Sequence, residues 1–569
     1  MMLTNSVVTM TELPLPDRTA APNMASYAQE RERFRIKVPE RFNPVVDIVE
    51  RWAAESGDDL ALVSLGPGGE TIAQHTAAQL ADEARRSAGA LLALGVKPGD
   101  PVFIMLPRGP AWYAAMLGGI RIGAVVMPGT NQLTSRDIAY RIGAADAVVA
   151  ITSSDGAEKI DAIEQELPSL RVRVVSGAGG REGWEDFEAI MAAAGDDDGT
   201  LTPAPTGRED PMILFFTSGT VSYAKMVMHT QAYGLGHIST ARFWHDLRRG
   251  DRHWTVTDTG WAKAAWGGLF GQFHERATNV QVALGKPDAD TILSILRDAR
   301  ITSFCAPPTL YRLLIQADLT AYDLSALRHC TSAGEPLNPE VIRAWAQGTG
   351  GLTVYDGYGQ SETTVLVANY RAVPVRPGSM GKPVPGWTVD VLDESGQRAD
   401  EDVVGAIAVQ VTDPRPVGLF TGYHRDDAAN QRAFRNGWYY TGDKAWRDSD
   451  GYLWFEGRDD DVITSSAYRI GPFEVESALV EHPAVVEAAV VGKDDPQRTQ
   501  IVTAFCVLAA GFEPSDALAS ELQEHARTLT APYKYPREIH FVTELPKTVS
   551  GKIRRSQLRD ELRTGATGG

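Results

Sequence analysis

Between Asn43 and Asp197 the sequence alternates helical patterns with short apolar runs, and this alternation restricts the fold more than any other feature of the chain. The apolar-periodic segment Ala78 to Leu94 is closed by Gly95 and Pro98, then followed by the apolar run Pro101 to Leu106, which predicts a helix and then a buried strand. The runs Ala124 to Met127 and Ala147 to Ile151 sit between helical stretches in the same way. Parallel strands need crossover connections and helices supply them, so the pattern predicts an α/β fold with a largely parallel sheet. The rhythm returns from Trp254 to about Tyr370. After Val373 short strands alternate with Gly and Pro turns, over Gly378 to Gly386 and Val403 to Val411, which predicts a small β-barrel or β subdomain. Strand, helix and strand signals after Arg458 predict a compact α+β C-terminal portion. The expected division is a loose N-terminal arm over residues 1–42, a large domain over 43–458 with two α/β layered subdomains plus the small β-barrel, and a small domain over 459–569. A chain of 569 residues exceeds one ordinary core, as such a division requires.

The net charge of -18 argues against a nucleic-acid partner, because binding phosphates along a backbone wants a basic surface. Cys305, Cys330 and Cys506 are far apart in apolar settings, which suggests neither a disulfide framework nor a zinc site and fits a reducing cytoplasm. The N-terminal residues carry Glu12 and Asp17 and lack a basic segment ahead of an apolar core, so they do not read as a signal peptide. The most apolar stretch, Ala111 to Met127, is interrupted by Arg121 and is too short to span a bilayer; it reads as a buried helix feeding a strand. Oligomeric state is left open.

The segment Phe216 to Lys225 follows the apolar run Met212 to Phe216 and crowds phosphate-binding groups into one loop. Thr217, Ser218 and Thr220 offer hydroxyl donors, Gly219 allows a tight bend, and Lys225 adds positive charge. The Gly-Lys-Ser/Thr ending of a Walker loop is missing, so that fold is not implied. Taken alone, a Ser/Thr/Gly loop is equally an ordinary surface turn.

Six later segments follow this loop in a fixed order: Ser332-Ala-Gly-Glu-Pro336, Asp356-Gly-Tyr-Gly-Gln-Ser-Glu362, Tyr440-Thr-Gly-Asp443, Gly457-Arg-Asp-Asp-Asp461, Tyr468-Arg-Ile-Gly-Pro472 and Pro546-Lys-Thr-Val-Ser-Gly-Lys552. Each alone has a plain reading as a turn or a core element. As an ordered set, from about Asn43 to Arg555, they resemble the adenylate-forming superfamily of acyl-CoA synthetases, peptide-synthetase adenylation domains and luciferases. Thr257-Asp-Thr-Gly-Trp-Ala-Lys263 and Tyr533-Lys-Tyr-Pro-Arg537 are most similar to the medium-chain acyl-CoA synthetases.

The resemblance implies ATP, Mg²⁺ and coenzyme A as cofactors, with a small carboxylic acid as substrate. Two anions must meet in the first half-reaction, so charge neutralisation and alignment dominate what the site supplies. Lys552 is the implied cation between carboxylate and α-phosphate, and Glu362 the carboxylate that holds Mg²⁺, a hard ligand for a hard cation. Thr217, Ser218, Gly219, Thr220 and Lys225 are the implied phosphate clamp. Asp443 and Arg458 are implied at the ribose. Tyr358 is implied at the adenine, opposite Gly334, Glu335 and Pro336, with Asp356, Gly357, Gly359, Gln360 and Ser361 in the same nucleotide site. Asp460 matches the hinge about which the small domain swings between half-reactions.

Two places depart from the commonest pattern. Val221, Ser222 and Ala224 replace Thr, Gly and Pro in the phosphate loop, which predicts weaker phosphate binding. Ala467 stands where glycine is usual in the coenzyme A passage formed by Ser466, Ala467, Tyr468 and Arg469. An added methyl group there keeps a second acceptor open: an adenylating enzyme that passes the acyl group to an amine or a carrier-protein thiol. A third reading is a non-catalytic nucleotide-binding regulator, against which the joint presence of Lys552, Glu362, Asp443 and Arg458 argues. The acyl pocket is expected along Trp261, Trp266, Gly267 and Gly359, with Phe270 and Gly268 nearby. Glycine at position 359 is expected to open it to a medium-chain or aromatic group, and the lack of an evident cationic anchor favours a monocarboxylic acid.

Overall fold

The computed structural model describes residues 17, 19–177, 179–194, 205–217, 224–459, 461–465, 468–531, 533–547 and 552–564. Two sheets carry the large domain. The first orders its strands Gly422–Tyr423, Lys225–Thr230, Pro211–Thr217, Val125–Pro128, Pro101–Met105, Val149–Ser153, Val172–Ser176 and Glu185–Asp186. From Pro211–Thr217 to Glu185–Asp186 neighbouring strands run parallel, and the two strands beyond Pro211–Thr217 are antiparallel. The predicted helix is Ala77–Ala93, opened by a capping box in which Thr76 Oγ1 accepts from the Gln79 amide and Gln79 Oε1 accepts from the Thr76 amide. It packs on the buried helix Pro110–Arg121 so closely that a Cβ on Gly118 would lie 2.3 Å from Ser87 Oγ.

The second sheet orders Lys382–Pro383, Val365–Ala368, Val354–Gly359, His329–Ala333, Ser303–Ala306, Arg252–Thr255, Thr278–Val282, Leu60–Leu65 and Thr71–Thr76. Its six central strands are parallel, with helices such as Ala289–Asp298 and Pro339–Gly348 making the crossovers. The expected α/β layering is therefore present twice. The run Gly378 to Gly386 serves two sheets: it supplies the short edge strand Lys382–Pro383 to this one, and Gly381 bridges to Leu453 of the β subdomain. That subdomain is an antiparallel sheet of Val389–Leu392, Gly405–Gln410, Trp438–Arg447 and Phe434–Arg435, with Leu453–Arg458 paired to Trp438–Arg447.

The C-terminal portion has its own sheet, Tyr468–Ile470, Ile463–Ser465, Thr499–Leu508 and Val485–Asp495, plus Glu538–Phe541. Helices Pro472–Val480 and Asp516–Leu529 cover it, and a separate core of Ile470, Val475, Leu479, Val490 and Leu522 fills the space between.

The N-terminal arm is not loose where it is described. Helix Tyr27–Arg33 is capped by Ser26; Tyr27 donates to the Pro383 carbonyl at 2.8 Å and Arg31 to that of Val384 at 3.0 Å. The Asn23 amide donates to Asp246 Oδ1 at 2.7 Å, and its side chain donates to the Leu247 carbonyl at 2.8 Å. Chain ends stay disordered unless tied down, and these bonds tie this one.

Candidate active site

In open α/β sheets ligands collect at the carboxyl ends of the strands, and Thr217, Ala333 and Tyr358 lie at or next to such ends. Thr217 ends the strand Pro211–Thr217, and Lys225 opens the next, so the two face each other as Cα partners across the hairpin. Ser218, Gly219, Thr220, Val221 and Ser222 lie outside the described residues; Ala224 is held by Tyr140, whose hydroxyl donates to its carbonyl at 2.9 Å.

The strand Gly422–Tyr423 pairs with Lys225–Thr230 and places Tyr423 between two predicted residues. Its hydroxyl donates to Glu362 Oε1 at 2.9 Å, and the Lys225 ammonium lies 4.7 Å from its ring centroid. Glu362 is buried, which pushes its carboxyl up; its backbone N–H, the Tyr423 hydroxyl and Lys225 act in the opposite sense. The turn carrying it is fastened by His229, whose Nε2 donates to the Ser361 carbonyl at 2.7 Å. Burial lowers His229 to about 3, so the ring is neutral near pH 7.

Asp443 projects from Trp438–Arg447 into the same space. Its Oδ2 accepts from the Tyr358 hydroxyl at 2.6 Å and from Gln360 Nε2 at 2.7 Å. Gln360 is fixed in turn: Tyr439 donates to its Oε1 at 2.8 Å, and its Nε2 also reaches the Thr441 carbonyl at 2.9 Å. Arg458 is the strand partner of Asp443 in the antiparallel ladder. Burial raises the Asp443 carboxyl; Arg458, Tyr358, Lys552 and Gln360 pull it back toward the charged form.

Ser332 and Ala333 pair with Asp356 and Gly357, which sets the Gly334–Pro336 loop beside the Tyr358 strand. Gly334 has φ +109°, a conformation that favours glycine, and Glu335 accepts from Thr309 at 2.8 Å and Arg312 at 3.2 Å. Asp356 is buried, its carboxyl raised well above the usual range by that burial, and it accepts from the Gly357 amide at 3.0 Å. Gly357 passes over Trp244, where a Cβ would lie 2.5 Å from the indole.

At the expected acyl wall, Trp261 precedes the helix Ala262–Gly268, on which Trp266 is buried. Both glycines turn out to be positions of close packing. A Cβ on Gly359 would lie 2.8 Å from the Trp266 ring and 2.3 Å from the Thr364 carbonyl, and one on Gly267 2.2 Å from Thr255 Oγ1. The room expected beside Gly359 is thus taken by Trp266.

Lys552 belongs to the C-terminal portion, yet its charge acts on Asp443 and on Lys263 of the large domain. Arg555 follows it and donates to Glu476 at 2.7 Å, while Asn338 of the large domain donates to Ser477 Oγ at 3.0 Å. Tyr468 and Arg469 open the strand Tyr468–Ile470, paired to Ile463–Ser465. Ser466, Ala467 and Asp460 lie outside the described residues.

The sequence reading missed Tyr423, Tyr439, Thr441, His229 and Lys263. Thr441 and Lys263 stand inside segments already quoted, and Tyr439 borders one. Tyr423 and His229 have no local pattern, because strand pairing brings them in from far along the chain. Among the described residues no group of three or more His, Cys, Asp and Glu converges on one point, and no helix is long and apolar enough to cross a membrane.

The family of AMP-binding enzymes matches residues 49–424, and its C-terminal domain matches residues 474–552. Acyl-coenzyme A synthetase ACSM3, mitochondrial, of Rattus norvegicus is 42% identical over 553 residues, covering 95% of this chain and 94% of that protein. The anthranilate CoA ligase AuaEII, solved in complex with anthranoyl-AMP, superposes with a TM-score of 0.86 at 31% identity, covering 93% of this chain and 99% of that one. A benzoate CoA ligase from Burkholderia xenovorans LB400 gives a TM-score of 0.79 at 29% identity, covering 91% and 100% of the two chains. With likeness of this extent across both domains, the chain belongs to the AMP-binding enzymes and, within them, to the acyl-coenzyme A synthetases.

Proposed function

We propose that the protein converts a medium-chain or aromatic monocarboxylic acid to its coenzyme A thioester through an acyl-adenylate, releasing AMP and pyrophosphate. As an acyl-CoA synthetase it uses ATP, Mg²⁺ and coenzyme A. The observation that carries the reading is the Asp443 carboxylate, held by Tyr358 and Gln360, opposed by Arg458 in the strand ladder and reached by the field of Lys552.

In the first half-reaction a carboxylate oxygen of the acid bonds to the α-phosphorus, and the bond to the β-phosphate bridge breaks. Thr217 and Lys225 hold the departing phosphates, with Ser218, Gly219 and Thr220 between them. Asp443 and Arg458 hold the ribose, Tyr358 and the Gly334–Pro336 loop flank the base, and Lys552 neutralises the meeting anions. Glu362 suits Mg²⁺, because a buried carboxyl raised in the absence of a cation gains most when one arrives. Mg²⁺ is commonly held by one or two carboxylates plus substrate phosphates, and when bound it supplies charge neutralisation on those phosphates. In the second half-reaction the thiol sulfur bonds to the acyl carbon, its proton is released, and AMP leaves. The small domain turns about Asp460 to bring the Ser466–Arg469 passage forward.

An aromatic acid is supported by Trp261, Trp266 and Phe270 at the wall and by the benzoate and anthranilate ligases among the structural relatives. Free, buried Cys305, Cys330 and Cys506 suit a reducing compartment, and the cytoplasm is the one proposed. The test is pyrophosphate release across a panel of medium-chain and aromatic acids, with and without coenzyme A, and product masses. Adenylate without thioester for every acid would overturn the acceptor, and no ATP turnover would overturn the enzyme. Lys552→Ala is expected to abolish adenylation and to spare thioester formation from supplied acyl-adenylate.

A further inference from the structure

Lys263 is an ammonium that the roles above leave unused. It is the second residue of the helix Ala262–Gly268, between Trp261 and Trp266 at the acyl wall, and is only partly covered. Its Nζ donates to the Ala333 carbonyl at 2.9 Å, one of three donors the ammonium carries. Ala333 immediately precedes the Gly334–Pro336 loop and pairs with Gly357, one residue before Tyr358. The side chain therefore spans from the acyl wall to the edge of the nucleotide slot. Burial lowers its affinity for a proton; Cys305, Glu335 and Asp356 oppose that, and Lys552 reinforces it. The charge of Lys552, on the small domain, is thus felt by Lys263 on the large one. Like charges at short range are costly unless an anion lies between them.

We propose that Lys263 is a second, immobile cation of the reacting centre: a catalytic residue that contacts the anionic junction of acid and α-phosphate. The inference rests on the adenylation reading above and adds a division of labour. Lys552 rides on the small domain and serves the first half-reaction. Lys263 is built into the large domain, so it stays on the acyl-adenylate while coenzyme A attacks and AMP departs.

The test compares Lys263→Met, similar in length but uncharged, with Lys263→Arg in the full-length enzyme. Adenylation is read as pyrophosphate release, and thioester formation is read separately from supplied acyl-adenylate. Lys263→Met is expected to slow both half-reactions by about a hundredfold and raise KM for the acid, as removal of one donor from a developing anion does. Adenosine binding, followed by calorimetry, is expected to stay within about threefold, since adenosine lacks the phosphate and its base and ribose contacts are untouched. Lys263→Arg is expected to keep a substantial share of both activities, which also guards against a Met variant that fails to fold. Wild-type rates in Lys263→Met would overturn the proposal, as would loss of adenylation alone. A parallel loss of adenosine affinity would overturn it too, because Lys263 would then only brace the Ala333 strand end. Loss restricted to acids bearing a ring acceptor would reassign it to side-chain recognition. Failure of the adenylation reading itself would look different: the unaltered enzyme would make no thioester from any acid.

Discussion

The Tyr423 hydroxyl donates to Glu362 Oε1 at 2.9 Å while its ring lies 4.7 Å from the Lys225 ammonium, so one tyrosine fixes the proposed metal ligand and the proposed phosphate cation together. Tyr423→Phe keeps the ring and removes the donor. Hydrogen bonds to charged groups contribute about 1.5–3 kcal/mol, so half-saturating Mg²⁺ is expected to shift by roughly tenfold or more. The change is read by titrating Mg²⁺ against pyrophosphate release. Tyr423→Leu, which also removes the ring under Lys225, is expected to raise KM for ATP in addition.

Asp443 and Glu362 both have carboxyls raised by burial. A raised carboxyl is protonated, and so unable to serve ribose or Mg²⁺, at pH values where an exposed one is still charged. The acid limb of kcat/KM for ATP is therefore expected above the ordinary carboxylate range, with activity falling as pH drops through it. Asp443→Asn keeps an acceptor for Tyr358 but loses the charge. KM for ATP should rise by about 10- to 100-fold while the melting temperature is held, since a buried charge is removed along with its desolvation cost.

Gly359 has no room for a side chain. Gly359→Ala forces a methyl group against the Thr364 carbonyl and the Trp266 ring, so the chain should lose about 1–3 kcal/mol of stability. Urea unfolding measures this. Trp266→Phe relieves only the second contact and is expected to widen the range of acids accepted, read as kcat/KM across chain lengths.

His253 and His329 are buried in the second sheet and lowered to about 3 and about 4, chiefly by burial, with Arg328 adding to the effect and Asp246 opposing it at His329. Unfolded, each binds a proton near pH 6.5. Between those values the unfolded chain carries more protons, so stability rises with pH and falls as the solution is acidified below about 6.5. Each contributes a slope of about 1.4 kcal/mol per pH unit once fully engaged. Urea midpoints at pH 7.5, 6 and 5 check this, and His253→Gln should flatten the trend.

The parallel layers were legible because crossover helices and buried strands differ in period, as Ala78 to Leu94 and Pro101 to Leu106 show. The site was legible where its residues cluster in short runs, as in Asp356 to Glu362. It was illegible where pairing between distant strands does the work: Tyr423 reaches Glu362 only because Gly422–Tyr423 adds itself to Lys225–Thr230. The glycines make a related point. A missing side chain signals space, and whether that space is for a ligand or for Trp266 depends on an element more than ninety residues away in sequence.

Asn23 and Arg371 both bond to Asp246, which Arg328 also grips, so the start of the chain closes a buried charge cluster in the second sheet. The foldable unit thus begins upstream of residue 49, where the match to the AMP-binding enzymes starts. A protease or a gene truncation that removed the first thirty residues would unseal a core carboxylate, and the damage would surface as poor yield and heat sensitivity long before any change in the chemistry.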